Sequence, residues 1–328
     1  MEKLPLGGVL VCGILILAIA FQANSQKTSQ RSAYASPKPI TEPRLFGEGV
    51  ISTPDDELNA TFTSDGNTIY FSKNVQGRLG VMVESHFVYG KWTKPKVLSF
   101  SGRYNDYDPA LTKDGKKMFF CSNRPIPGKE RKNFDLYVVE RVGKGWGEPQ
   151  NLGAPVNTEN DEFYPSVADD GTIIFSSNRP GGKGYDIYMS TWADEKYGEP
   201  ANLGDSINAA TAEIDNYLAP DKSYIIFAGY GRPDSYGGGD LYISEWNNGA
   251  WTKARNLGPK INSNQREYCP IVTPDGNYFF WTSFRSFVDT PPEKPFSYDE
   301  LVKRLRSTLN GQGNIFQIDL SELGIHKQ

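Results

Sequence analysis

Short apolar runs recur along this chain, and each begins just after a polar turn. The runs are TIYFS from Thr68, KMFFC from Lys117, TIIFS from Thr172, YIIFA from Tyr224 and YFFWT from Tyr278. Runs of this length, rich in β-branched and aromatic residues and bounded by Gly, Asn or Asp, are typical of buried β-strands rather than helices. The pattern therefore predicts an all-β protein.

An acidic residue and an aspartate precede every run at fixed positions. The acids are Glu57, Asp106, Glu162, Glu213 and Glu267. The third residue after each acid is Ala60, Pro109, Pro165, Asn216 or Pro270, and the eighth is Asp65, Asp114, Asp170, Asp221 or Asp275. Because five copies keep both spacings without a gap, the chain contains an internal repeat.

Two further elements complete each repeat. A second strand opens with a polar residue at Asp135, Asp186, Asp240 and Asn314, and an aromatic residue followed by a Leu-Gly pair occurs at 146–153, 197–204 and 251–258. Four short strands in a unit of roughly 50 residues are the signature of a β-propeller blade.

The position of the last strand predicts how the ring closes. The fifth unit ends at 315–318 without its aromatic and Leu-Gly element, while PRLFG at 43–47 matches PQNLG at 149–153. We therefore predict a five-bladed propeller over 43–320, whose last blade takes its outer strand from the N-terminal side, followed by a tail over 321–328. A closed ring leaves no open sheet edge. Six blades are the alternative, if one blade has diverged.

The first 25 residues form a separate segment. An apolar stretch over 4–21 follows Lys3, and Ala23 and Ser25 are the small residues at which a signal peptidase cleaves. This pattern predicts a signal peptide over 1–25, export to the periplasm or the exterior of a bacterium, and no membrane span after cleavage. An uncleaved membrane anchor is the alternative. Residues 26–42 are polar and contain proline, and they predict a linker.

The repeat, most clearly EFYPSVADDGTIIFSSNRP at 162–180, resembles the WD-repeat-like propeller repeats of the TolB-like group of exported bacterial proteins. The resemblance covers nearly all of 43–320. It implies a propeller fold, and it leaves the activity open because propellers of this type serve many purposes.

Each acid of the repeat is matched by a cation 16 to 19 residues later. The cations are Lys73, Arg124, Arg179, Arg232 and Arg285. Both groups are expected at one end of the blade, which predicts a structural ring of charge pairs. A catalytic site needs carboxyl groups in different protonation states, and a five-fold repeated pair does not provide them. The alternative is a carbohydrate-active enzyme in which one acid escapes its cation, most plausibly Glu57, whose partner is a lysine.

Composition excludes several kinds of site. The 35 basic and 39 acidic residues give a net charge of −4, which argues against nucleic-acid binding. The only histidines are His86, on the most degenerate blade, and His326, near the C-terminus, which argues against a zinc centre or a Ser-His-Asp triad. Calcium at the aspartate turns is less favoured than turn chemistry, because no D-x-D-x-D run occurs. We predict no metal and no cofactor, and we expect Cys121 and Cys269 to be buried free thiols.

The largest departure from the repeat is an insertion over 287–313. Ser297 and Glu300 form a capping box that predicts a helix over 298–309. Smaller insertions occur at 125–133 and 233–239. These loops predict a binding surface for an envelope protein, a peptide or a glycan, and the alternatives are a cap that only shields the channel and a purely structural envelope component. The candidate binding residues are Arg124, Arg179, Tyr230, Arg232, Tyr236, Phe284, Arg285 and Phe287.

Overall fold

Each apolar run forms the second strand of an antiparallel blade in the computed structural model of the chain. The structure describes residues 1, 32–126, 128, 133–209 and 212–325. The predicted signal peptide, apart from Met1, and the first part of the predicted linker lie outside the described residues. The fold is a five-bladed β-propeller with one short α-helix near its C-terminus, as the repeat predicted.

The strands follow the chain blade by blade. β1 (Arg44–Leu45) comes first; blade one contains β2 (Asp56–Phe62), β3 (Thr68–Val75), β4 (Leu79–Val88), β5 (Lys91–Trp92) and β6 (Lys96–Val97). Blade two contains β7 (Asp106–Leu111), β8 (Lys117–Ser122), β9 (Asp135–Val142), β10 (Gly145–Trp146) and β11 (Gln150–Asn151). Blade three contains β12 (Glu162–Val167), β13 (Ile173–Ser177), β14 (Asp186–Ser190), β15 (Trp192–Ala193), β16 (Lys196–Tyr197) and β17 (Ala201–Asn202). Blade four contains β18 (Ala212–Leu218), β19 (Tyr224–Tyr230), β20 (Asp240–Asn247), β21 (Ala250–Trp251) and β22 (Arg255–Asn256).

Blade five is the one that the two ends of the domain share. It contains β23 (Glu267–Val272), β24 (Tyr278–Ser283) and β25 (Asn314–Asp319), with α1 (Tyr298–Leu305) between the last two and a 3-10 helix at Leu320–Leu323 after them. Its sheet order is β1-β25-β24-β23, with Arg44 opposite Gln317 and Leu45 opposite Phe316. The predicted closure by an N-terminal outer strand is therefore confirmed.

The two faces of the ring differ in what connects the strands. β2, β7, β12, β18 and β23 all begin at one face, which we call the acid face because the repeated acids lie there. They end at the opposite face, the turn face, in the aspartate turns. In each turn the Asp side chain accepts the N–H of the residue two positions later, as Asp65 does from Asn67 at 3.0 Å and Asp170 from Thr172 at 3.0 Å. These bonds are the turn chemistry that the sequence indicated.

The described part of the predicted linker contains two buried hydrophobic side chains. Tyr34 packs edge-on against Phe62 and Tyr278, with ring centroids 5.0 and 5.8 Å apart, and Ile40 is buried in the core beside blade five. The backbone of Asp319 also donates to the carbonyl of Ile40 at 2.9 Å. Composition alone could not show this contact, because one Tyr and one Ile in a polar stretch leave little signal.

The helix of the insertion is shorter than the capping pattern predicted. Both reciprocal bonds of the Ser297/Glu300 capping box are present, but α1 ends at Leu305 and not at Leu309. Leu309 has a positive φ of 59° and packs against the core. The C-cap of the helix is Arg306, whose φ of −102° and ψ of 10° are not helical. Beyond it, the left-handed Leu309 cannot continue a right-handed helix. In the part of the chain that the structure describes, no helix is long and apolar enough to span a membrane.

Ring closure makes a prediction about Phe46, which follows β1. Its ring makes edge-on contacts with Phe62, Trp92 and Phe280 at 5.8, 5.7 and 5.0 Å. Because the substitution removes a buried aromatic side chain at the seam, we expect Phe46→Ala to lower the free energy of unfolding by about 3–5 kcal/mol. Urea denaturation measures it.

Val97→Ala is the matched control, since Val97 lies in the outer strand of blade one but is exposed. It should change the free energy of unfolding by less than about 0.5 kcal/mol. A small effect of Phe46→Ala, equal to that of Val97→Ala, would show that the N-terminal strand does not hold the ring.

Candidate functional site

The repeated acids and cations meet at the acid face, one pair in each blade. The shortest N···O distances are 3.0 Å for Lys73–Glu57, 2.7 Å for Arg124–Asp106, 3.3 Å for Arg179–Glu162, 2.8 Å for Arg232–Glu213 and 3.9 Å for Arg285–Glu267. All five carboxylates are buried. Every acid, Glu57 included, has a cation within 4 Å.

Several donors besides the cation bind the carboxylate of Glu162. Thr158 donates its N–H to Oε2 at 3.0 Å and its hydroxyl to Oε1 at 2.7 Å, and the Ser177 hydroxyl donates to Oε1 at 2.9 Å. Burial nevertheless raises the pKa of Glu162 above its ordinary value, because desolvation outweighs the bonds to Thr158, Ser177 and Arg179. The acid is therefore fixed in place by several neighbours at once.

The arginines connect this acid to the neighbouring loop. Arg179 donates to the carbonyl of Val156 at 2.6 Å, in the loop that arrives from the preceding blade, and its guanidinium lies over the rings of Phe175 and Tyr188 at 5.0 and 4.8 Å. Arg124, Arg232 and Arg285 repeat the arrangement with the carbonyls of Phe100, Ile207 and Ile261. These contacts favour a structural role for the charge ring, and binding by these arginines stays a prediction.

The four aromatic residues of the predicted binding surface do not form one pocket. Tyr230 and Phe284 lie on either side of Arg266, whose guanidinium carbon is 5.5 and 5.9 Å from their ring centroids. Phe287 instead contacts Phe296 inside the insertion, at 5.8 Å between centroids. Tyr236 is exposed in the loop of blade four.

A layer of side chains that the sequence did not single out lies in the middle of the channel. Each inner strand contains a β-bulge, and the residue two positions after the repeated acid has a positive φ. These bulge residues are Asn59 (56°), Asp108 (63°), Tyr164 (53°), Asp215 (53°) and Cys269 (52°). Positive φ is uncommon outside glycine and concentrates at functional positions. Here the backbone repeats five times while the side chain changes, so this layer has the asymmetry that the charge ring lacks.

The bulge layer lines a cavity of about 150 Å³. From the bulge residues its wall continues along the inner strands to exposed residues of the turn face, which are Ser64, Lys113, Asp169, Pro220 and Pro274. The cavity therefore opens at the turn face, although the insertions led us to expect a pocket at the other face.

Two buried carboxyl groups, Asp108 and Asp215, belong to this cavity wall. The thiol of Cys121 donates to Asp108 Oδ2 at 3.1 Å, and the thiol of Cys269 donates to Asp215 Oδ1 at 3.2 Å. Burial, reinforced by Asp215, raises the pKa of Asp108 to about 8. Burial raises the pKa of Asp215 to about 6, against the opposing charge of Arg266.

Both cysteines are buried free thiols, as the sequence indicated, but their contact with the carboxyl groups was not foreseen. Burial raises the pKa of each thiol well above its ordinary value, so both keep the proton that they donate. Within the described ranges, no group of three or more His, Cys, Asp or Glu side chains is placed to hold a metal ion.

Comparison with known proteins finds similarity only in solved structures; no family model and no curated protein matches the chain. TolB from Acinetobacter baumannii matches with a TM-score of 0.47 and 14% identity over 80% of this chain, which spans 54% of that protein. A protein from Agrobacterium tumefaciens assigned as TolB gives 0.48 and 13% over 81% of this chain and 91% of that one. A puromycin-hydrolysing peptidase from Mycobacterium tuberculosis gives 0.40 and 14% over 79% and 41%.

TolB structures are thus among the matches, in agreement with the resemblance that the repeat showed. At these TM-scores and identities the matches carry no argument about what this chain binds or catalyses. The functional argument therefore rests on its own residues.

The charge pairs predict a stability effect that has nothing to do with catalysis. Glu162→Gln leaves Arg179 without its counter-charge in a buried position, so we expect it to lower the free energy of unfolding by about 3 kcal/mol. Glu213→Gln should act in the same way. Urea denaturation measures both.

The control is Glu140→Gln, which breaks an exposed pair with Lys117 whose N···O distance is 3.1 Å. An exposed pair contributes about 0.5 kcal/mol or less. If Glu162→Gln destabilised the fold no more than Glu140→Gln, the acids would not be joints of the ring.

The raised pKa of Asp108 predicts that stability falls as the pH rises. The group faces Asp215, Cys121, Cys269, Tyr164 and Tyr107. Its pKa is about 8 when folded and 3.8 ordinarily, so its contribution to stability is present below about pH 4 and is lost as the pH rises through about 8. Asp215, raised to about 6, acts in the same direction.

We therefore expect Asp108→Asn to melt above the wild type at about pH 8 and close to it at about pH 5. Thermal denaturation across this range tests it. Asp114→Asn, at an exposed turn, should leave the pH dependence unchanged. Parallel curves for the wild type and Asp108→Asn would contradict the assignment.

Proposed function

We propose that this chain is an exported, non-catalytic binding module that docks a protein partner on the insertion of blade five. The observation that carries the proposal is the exposure of α1. The helix has no buried residue, and Tyr298, Leu301 and Leu305 are 79%, 37% and 52% exposed. Their spacing of three and four residues puts them on one side of the helix.

The insertion is held at its base and not along the helix. The N–H of Phe287 donates to the carbonyl of Leu309 at 2.8 Å, and Asn310 donates to the carbonyl of Pro54 at 2.9 Å. An isolated helix of eight residues is marginal in water. Capping supports α1 locally, but the helix buries none of its residues. A partner that covers this side would stabilise the helix and bury the three side chains.

An apolar groove on a protein is the partner that fits this surface. Amphipathic helices bind such grooves through anchors spaced as Tyr298, Leu301 and Leu305 are. A peptide or glycan, the other predicted ligands, is less well matched to three apolar side chains on a convex helix.

The carbohydrate-active alternative has less support. It needs a free carboxylate in the charge ring, and each of the five acids has a cation within 4 Å. The proposed location outside the cytoplasm rests on the signal-peptide pattern over 1–25.

A photo-crosslinking amino acid at Leu301 tests the proposal in cells. We expect it to trap a specific protein, which is then identified and purified. Leu301→Glu combined with Leu305→Glu should weaken the affinity of that protein by about a hundredfold or more, because charges would enter an apolar groove. Isothermal titration calorimetry measures the change.

Val142→Glu is the matched control, since Val142 is also exposed but lies in blade two, at the end of β9. It should bind as the wild type does. Equal affinity for the double variant and the wild type would reject α1 as the docking site, and so would an equal loss in Val142→Glu. An unchanged melting temperature in each variant shows that the fold is intact.

A further inference from the structure

Three residues of the bulge layer have acceptor oxygens with no hydrogen-bond donor. These atoms are Asn59 Oδ1, Asp108 Oδ1 and Asp215 Oδ2. The residues are 9%, 4% and 2% exposed, and all three line the cavity. A buried acceptor without a donor costs about 1–3 kcal/mol, and more when it is charged. Three in one cavity wall therefore indicate that something else supplies the donors.

The second oxygen of each carboxyl group already has a partner. The thiol of Cys121 donates to Asp108, and the thiol of Cys269 donates to Asp215. The N–H of Tyr164 also donates to Asp108 Oδ2 at 3.1 Å. These bonds fix the two carboxyl groups and leave the other oxygen of each for a ligand.

Size and charge narrow the class of ligand. A dry cavity of about 150 Å³ holds a molecule as large as benzene, and this cavity has the same volume of about 150 Å³. Its wall offers acceptor oxygens and two carboxyl groups whose ionised form a cation would favour, so the ligand should bring donors and positive charge. The positive charge of Arg266 acts on Asp215, but Arg266 donates its Nε–H to the hydroxyl of Tyr230 at 2.7 Å.

We propose that the channel cavity binds the ammonium group of a small primary amine, whose three N–H groups are donated to Asn59, Asp108 and Asp215. The number of donors equals the number of unpartnered acceptors. The carbon chain of the amine would lie along the cavity toward the turn face, where the wall includes Pro220, Pro270 and Pro274.

A metal ion fits the same wall less well. Calcium takes six to eight oxygen ligands, whereas the bulge layer offers two carboxyl groups and one amide. The described residues also bring together no group of three or more His, Cys, Asp or Glu side chains that could hold a metal ion. This cavity opens at the face opposite α1, so the inference stands or falls independently of the protein-docking proposal.

Two isomeric cations test the proposal on the full chain. n-Butylammonium and tetramethylammonium have the same atoms and the same charge, but only the first has N–H donors. We expect saturable binding of n-butylammonium by isothermal titration calorimetry, and at least tenfold weaker binding of tetramethylammonium. Titrations in buffers of different ionisation enthalpy should also show proton release near neutral pH, because the bound cation favours the ionised form of Asp108.

Variants locate the site. Asp215→Asn and Asp108→Asn should each weaken n-butylammonium binding by about tenfold or more. Glu140→Gln, which removes an exposed acid outside the cavity wall, should leave it unchanged. Melting curves confirm that the variants fold, and Asp108→Asn is expected to be at least as stable as the wild type near pH 8.

Several outcomes would overturn the proposal. Equal affinity for the two isomers would mean that charge alone attracts them. Retained binding in both Asp215→Asn and Asp108→Asn would place the amine elsewhere. Saturable binding of Ca²⁺ without binding of n-butylammonium would make the cavity a metal site, and binding of neither would mean that water supplies the missing donors.

Discussion

A buried carboxylate at the start of each inner strand is the interaction on which the ring depends. It gathers donors from its own blade and from the loop that enters it, and a cation completes the set. A charge taken out of water is tolerated only when such partners surround it. The same cation donates to a backbone carbonyl of the entering loop and covers two aromatic rings. This group of residues recurs with an arginine in four blades and with Lys73 in blade one, and each arginine connects its blade to the entering loop.

The repeated spacings predicted this part of the structure well. Glu162 and Arg179 are recognisable because their positions recur in every blade. The match between 43–47 and 149–153 likewise identifies the closing strand from the sequence. Periodicity could do so because it records contacts that every blade must make. Helix α1 was also predicted, since a capping box is local, but its early end was not. Beyond the end of the helix Leu309 packs against a distant core, a contact that local sequence does not encode.

The bulge layer lies beyond what periodicity can show, although it sits two residues after each acid. A search for repeats retains positions that agree and sets aside positions that differ, and Asn59, Asp108, Tyr164, Asp215 and Cys269 differ. Their common property is a positive φ, and no single residue type in the sequence marks it. One signal was available in the sequence. Two of the five aligned positions carry a carboxyl group, Asp108 and Asp215, whereas the charge ring has an acid at all five.

The strand that closes the ring also sets the order in which the chain can fold. Ser52 donates to the carbonyl of Ile315 across a separation of 263 residues, beside the pairing of β1 with β25. Contacts this distant in sequence raise the contact order and slow folding. Until β25 is made, β1 has no partner, and blade one has no neighbour on that side. A chain synthesised from its N-terminus therefore exposes these edges until β25 is made, which makes protection from aggregation a requirement of its biogenesis.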